Sequence, residues 1–268
     1  MTRSQWAALL FLITVTAAAM TATWVAPFGF EEQFLDHRLE SPSHQFFFGT
    51  DTLGRDLYSR IIYGAQMSLA VGFVSGLLSL FVGVTVGLIA GYFGGWIDTV
   101  LMRLTELLIS LPTLLIAVLM TMIVGRGFWG LVAAISIGSW FVPARLIRGL
   151  TARYRRSQLV SAERALGASH LRILGRHVLP LIAGPIIVTL LFQIPTHILA
   201  ESFLSFVGLG LEPPYASWGT LAADGFRAMH SYPHLIVFPG VVLFLTLLSI
   251  NLLGDELRRR FFPVMSHS

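Results

Sequence analysis

The sequence predicts an all-α integral membrane protein with six transmembrane helices and both termini on the cytoplasmic side. Three observations carry that expectation. The chain is 55% hydrophobic and only 12% charged, where a soluble domain has about 25% charged residues. Its apolar residues fall in runs of about 20, the length a helix needs to cross the hydrocarbon core. Its basic residues, finally, sort to alternate ends of those runs.

The six runs, in order, are Trp6–Ala26, Met67–Gly91, Leu107–Val124, Gly127–Ala144, Val178–Ala200 and Leu235–Gly254. The first, with Arg3 ahead of it and Ala17-Ala18-Ala19 inside it, also looks like a secretory signal. Its apolar stretch is longer than a signal core, so it is read as an uncleaved span. The second contains no charge. Pro112, Pro185, Pro195 and Pro239 lie inside later runs, where packed membrane helices tolerate proline as a kink.

All eighteen basic residues are arginine. Thirteen of them fall on the side that holds both chain ends and the segment after the fourth span, which marks that side as cytoplasmic. The segments 27–66 and 201–234, on the other side, hold nine of the fourteen acidic residues. Arginines at span ends are an orientation signal, so the basic balance does not point to nucleic acid. The chain divides into an N-terminal helix with an outer segment (1–66), a transmembrane domain (67–256) and a short cytoplasmic tail (257–268).

Several activities are excluded or unsupported. Without lysine the chain cannot hold a Walker A nucleotide site. Without cysteine it has no disulfide, thiolate nucleophile or Cys-ligated metal. No serine-hydrolase elbow and no HExxH pair occurs. His230 and His234 stand four apart, but Pro233 between them breaks the helix a metal pair would need, so they are read as a surface loop. Among the span interiors only Gln193 and His197 are strongly polar. A self-driven ion-coupled carrier would need more charge there.

Gly72, Gly76, Gly83, Gly87 and Gly91, with Ser79 among them, form one small-residue face on the second span. Such a face lets helices approach closely, either as plain intrachain packing or as a sliding surface.

The segment VSAERALGASHLRILGRHVLP (160–180) is the polar interruption of the chain. Ser157 is placed to cap a short helix with Leu159, Ala162 and Leu166 on one face. Gly167 would end it, and Ser169 would cap a second helix carrying Leu171, Leu174 and Val178. Two short amphipathic helices around a glycine corner could lie on lipid or dock into a soluble partner; composition alone leaves both open.

This segment resembles the cytoplasmic loop of permease subunits of binding-protein-dependent ABC importers, E-A-A-x3-G-x9-I-x-L-P. Ala162, Gly167, Leu179 and Pro180 match at the right spacing, whereas Ser161, Glu163 and His177 depart from it. FGTDTLGRDLYSRIIYGAQMSL (48–69), GGWIDTVLMRLTELLISLPTLL (94–115) and ESFLSFVGLGLEPPYASWGTL (201–221) are similar to the second permease of the dipeptide/oligopeptide/nickel branch. The resemblance implies a type I ABC importer permease fold in a bacterial inner membrane. It implies a homologous partner permease, two cytoplasmic ATPase subunits that bind ATP and magnesium, and an extracytoplasmic solute-binding protein. This chain itself would bind no cofactor or metal and catalyse nothing. Residues Ser161, Ala162, Glu163, Arg164, Ala165, Leu166, Gly167, Ala168 and Ser169 would then be the ATPase-coupling loop. Di- and oligopeptides are the first substrate expectation, and nickel, metal chelates or other small solutes follow. A self-contained channel is the reading from another class, but it has no use for the cytoplasmic helix pair.

The stretch 201–221 is too interrupted for a seventh span. It is expected either as a cap over the pathway mouth, with Phe203, Phe206, Gly208, Gly210 and Trp218 as its residues, or as plain packing on the fifth and sixth spans.

Overall fold

The computed structural model describes residues 2–261. Helix α1 (Arg3–Met20) opens on a capping box between Thr2 and Gln5, and α2 (Ala22–Val25) extends it by one turn. After an outer segment with a single 3-10 turn at Leu35–His37 comes α3 (Leu57–Phe93), whose 37 residues make the longest helix described. Asp56 caps α3 by accepting from Ser59 N at 2.7 Å. At 1.5 Å per residue α3 is roughly 55 Å long, far more than the ~30 Å hydrocarbon core. It therefore projects well past the run at 67–91.

Next come α4 (Gly95–Ile109), α5 (Thr113–Val124), α6 (Phe128–Ile137) and α7 (Phe141–Arg155). The short α8 (Gln158–Ala165) and α9 (His170–Ile173) lead into a π-helical turn at Leu174–Val178 and into α10 (Leu179–Leu181). The chain closes with α11 (Ala183–Phe206), α12 (Trp218–Ala228) and α13 (His234–Phe261). Among the described residues there is no strand, only an isolated bridge between Thr50 and Asp56.

Helices α1, α3, α11 and α13 are each long and apolar enough to cross a membrane. The pairs α4–α5 and α6–α7 bring the number to six if each pair is one span. Here the structure corrects the sequence reading. The run Leu107–Val124 is not one helix: it bends by 92° between Ile109 and Thr113. Pro112 has no N–H to give and pushes Leu111 out of helical geometry, so it is a break rather than a kink. The run Gly127–Ala144 bends by 45° between Ile137 and Phe141. Pro143 in the first turn of α7 cannot continue a helix from α6, and the Ser139 hydroxyl donates to the Ile135 carbonyl at 2.6 Å.

The fifth run also differs at both ends. Its start, Val178–Ile182, is a π turn and a short helix. Helix α11 begins at Ala183 and continues to Phe206, six residues beyond the expected end. The sixth continues through Phe261, so residues 257–261 of the expected tail are helical, and residues 262–268 lie outside the described residues.

Helix α3 is the strut on which the others pack. A Cβ on Gly76 would sit 3.3 Å from Leu190 of α11, and Gly72 leaves room for Ile198 of the same helix. Farther along, the partner changes. A Cβ on Gly83 would fall 2.6 Å from Pro143, one on Gly87 2.7 Å from the Ala144 carbonyl, and one on Gly91 2.5 Å from the Arg148 carbonyl, all on α7. The small-residue face is thus divided between two helices of the same chain, α11 and then α7. One end of the bundle, built from α1, α3, α11, α12 and α13, closes around Trp218, Ile61, Ile198, Leu221 and Leu235, all buried. Gln5 Nε2 donates to Glu256 Oε2 at 3.0 Å, which brings the start of α1 and the end of α13 to one side of the bundle.

Candidate functional site

The helix pair at 158–173 is built by local chemistry. Ser157 accepts from Val160 N to start α8, and Ser169 accepts from Arg172 N to start α9. Between them Gly167 N donates to the Arg164 carbonyl and Ala168 N to the Glu163 carbonyl, both at 3.0 Å. This Schellman pattern requires a left-handed residue, and Gly167 has φ +79°. A Cβ there would meet nothing within 4 Å, so none of the described residues covers the corner.

The apolar residues of the pair divide in two. Val160, Ile173 and Val178 are fully buried with Tyr92 and Ile147. Leu166 and Leu171 are each 84% exposed, and Leu159 and Ala162 are exposed beside them. The face that the spacing marks as apolar therefore points away from the protein, apart from Leu174 and Val178, which turn inward. Two further contacts hold the pair to the body. Tyr92, at the end of α3, lies 3.0 Å from His170 Nδ1 through its hydroxyl, and the Arg164 guanidinium stacks over its ring at 4.9 Å. Glu163 Oε1 lies 3.1 Å from His177 Nε2. Two of the positions that depart from the importer pattern thus contact each other, joining α8 to the π turn.

A polar seam lies between α3 and α11. Gln193 Nε2 donates to Ser79 Oγ at 2.8 Å, His197 Nδ1 and Ser75 Oγ are 2.9 Å apart, and Ser68 Oγ donates to Glu201 Oε2 at 3.3 Å. Glu201 also accepts from Ser205 Oγ at 2.7 Å and is wholly buried. The sequence reading put Glu201 in the outer segment; satisfied by these hydroxyls, its carboxylate does not end the helix. The steps of four along α11 (193, 197, 201) are the signal that reading left unused.

On another side of α11 run two cavities of about 500 and 450 Å³. They share Thr113, Ser139, Thr196 and His197, and extend in opposite directions to Pro185 and Phe203. Eighteen residues of helix rise about 27 Å, close to the ~30 Å of the hydrocarbon core. The breaks before α5 and α7 place Thr113 and Ser139 at the middle of this groove. Arg258, near the end of α13, is the one charged side chain among the described residues of its lining.

In the outer segment, Asp51 accepts from Arg55 Nε at 2.7 Å and from Arg60 Nη1 at 2.5 Å, all three buried. Burial pushes the neighbouring Asp56 carboxyl up, against hydrogen bonds from Ser59 and Tyr58. The residues expected as a cap do not share one surface. Phe203 and Phe206 are exposed and Gly208 (φ +84°) stands in open space, but Gly210 packs on Ser205. Trp218 is fully buried, its Nε1 donating to the Ile61 carbonyl at 3.1 Å. Trp218 belongs to the core and cannot touch a soluble partner. His234, far from forming a loop, opens α13, and no cluster of three metal-ligating side chains occurs among the described residues.

Residues 83–267 match the family of the binding-protein-dependent transport system inner membrane component. The chain belongs to this family. It is the permease subunit of an ABC importer, a multi-helical inner-membrane protein and not itself a catalyst. It is 39% identical to the glutathione transport system permease protein GsiD of Pectobacterium atrosepticum over 258 residues, 96% of this chain and 86% of the relative. The dipeptide transport system permease protein DppC of Bacillus subtilis is 37% identical over 96% of this chain and 81% of its own length. Among solved structures, an inward-facing MetNI methionine ABC transporter superposes with a TM-score of 0.62 over 77% of this chain and 98% of the other, at 19% identity. An amino acid ABC transporter crystallised with histidines gives 0.57 over 76% of this chain and 94% of the other. At such identity these two speak for the fold alone.

Proposed function

We propose that this permease forms half of the translocation pathway of an ATP-driven importer for di- and oligopeptides, and that the groove along α11 is its half. A homologous permease covers the open side of the groove. Two cytoplasmic ATPase subunits bind ATP and magnesium, and an extracytoplasmic binding protein delivers the substrate to the end near Phe203. The ends of α1 and α13 and the helix pair then face the cytoplasm, in keeping with the arginine distribution. Residues 67–256 act as the transport domain. Glutathione and dipeptides, named for the relatives, both support a peptide substrate.

The observation that carries this reading is the outward-facing Leu166 and Leu171 beside the bare glycine corner. Exposed leucines on a short, capped helix pair are costly in water and suit a cleft on a soluble subunit. When the ATPases close, the pair moves as a body. Tyr92 and the Glu163–His177 contact pass that movement to α3 and to the base of α11. The importer with Gly167→Trp is expected to assemble and insert but to lose substrate-stimulated ATP hydrolysis and uptake. Full uptake by that variant contradicts the docking role.

A further inference from the structure

We infer that Gln193 and His197 present a pair of uncharged hydrogen-bond acceptors to the groove, and that these receive the N–H groups of a peptide in transit, its α-ammonium first among them. The inference rests on the peptide-importer reading above and assigns the groove its contact residues.

Ser75 has one hydroxyl proton, and it is directed to the Val71 carbonyl at 2.5 Å. With its proton assigned to that carbonyl, Ser75 Oγ is the acceptor for His197 Nδ1 at 2.9 Å. In the neutral ring Nε2 is then unprotonated and accepts. It has no partner among the described residues, and His197 lines both cavities where they meet. One turn away, the Gln193 amide donates through Nε2 to Ser79, which leaves Oε1 buried and without a partner. Gln193 is 9% exposed and lines the larger cavity. A buried acceptor left unpaired is costly, and Gln193 stands one turn from His197 on the same helix, both residues lining the larger cavity.

Three further hydroxyls of the lining add acceptors, while Thr113 keeps a hydroxyl that can donate. The hydroxyls of Thr189, Thr196 and Ser139 give their protons to carbonyls of their own helices, so their oxygens too can only accept from the groove. No carboxylate lines either cavity. That suits transit: a pathway must bind its cargo well enough to admit it and weakly enough to release it. Neutral acceptors hold an ammonium group without the deep well a carboxylate would create.

The test is uptake of radiolabelled tri-alanine by the whole importer in proteoliposomes, with loaded binding protein in saturating amount. Peptide taken up per ATP hydrolysed is read together with stimulated ATPase activity. His197→Leu is expected to lower uptake per ATP about tenfold, the worth of a hydrogen bond to a charged group, while stimulated ATPase stays within about twofold of wild type. His197→Gln, which puts an amide oxygen near the position of Nε2, is expected to restore most of the loss, and Gln193→Leu to show a smaller loss of the same kind. Unchanged uptake per ATP in His197→Leu, a parallel loss of ATPase activity, or no rescue by glutamine overturns the inference and leaves the importer reading intact. A wild-type importer that takes up no tri-alanine overturns the peptide reading, and this inference with it.

Discussion

The helix pair α8–α9 and the α3–α11 seam are opposite in polarity. The pair turns leucines outward, with Leu166 and Leu171 each 84% exposed. The seam turns polar groups inward, with Ser68, Ser75, Ser79, Gln193, His197 and Glu201 all buried. Each is matched to what it faces. Leucine in water wants a partner that the described residues do not supply, which points to another subunit. Serine, amide and carboxylate groups at membrane depth want partners at once, and the chain supplies most of them across one seam, leaving Gln193 Oε1 and His197 Nε2 without one among the described residues. An exposed apolar surface thus marks an interface between subunits, and a seam of paired polar groups marks an interface inside the fold.

The largest effect should come from breaking the internal side. Gly87→Leu puts a side chain where a Cβ alone meets the Ala144 carbonyl at 2.7 Å. Overpacking of this kind costs about 1–3 kcal/mol and often more against backbone. The variant is expected to give little folded permease by size-exclusion chromatography, whereas Gly149→Leu on α7, with nothing within 4 Å, is expected to fold normally. Equal yields would mean that α3 and α7 do not pack this closely.

Next comes the external side. Leu166→Asp with Leu171→Asp should leave the isolated chain's thermal unfolding unchanged, because both side chains are exposed. Binding of the ATPase subunits should weaken by at least about 2 kcal/mol, roughly thirtyfold, as expected for interface hot spots. If the ATPases copurify as tightly as with wild type, the exposed leucines are not their docking face.

The smallest effect sharpens the link between the two regions. Glu163→Ala and His177→Ile each restore the family pattern at one position. Their contact is partly solvent-exposed, so the coupling in a double-mutant cycle of stability should be about 0.2–1 kcal/mol. The double variant should be closer to wild type than the sum of the single losses, and strict additivity would deny that the two residues act together.

Much of the helix pair was legible in the sequence because caps are local. Ser157, Gly167 and Ser169 act within five residues of themselves. The six apolar runs were legible too, since composition over about 20 residues decides burial in lipid. What the runs could not convey was direction. Pro112 was read as a kink, yet whether a proline kinks or breaks a span depends on what packs around the freed backbone. Glu201 was misplaced because its partner Ser68 is 133 residues away, so its charge looked like the end of a helix. Trp218 stayed open between cap and packing for the same reason: its hydrogen bond to Ile61 and its core neighbours come from distant helices. Glu163 and His177 each stood out as departures, but a contact across a glycine corner and a π turn has no sequence period to reveal it.

The central claim is that the helix pair receives the ATPase. Because the chain contains no cysteine, Leu166→Cys gives a single site for a photoreactive maleimide. Illumination of the assembled importer should join this chain to the ATPase subunit, with a yield that changes between nucleotide-free and ATP-bound states. Labelling of lipid alone, or no cross-link to the ATPase in either state, would contradict the account.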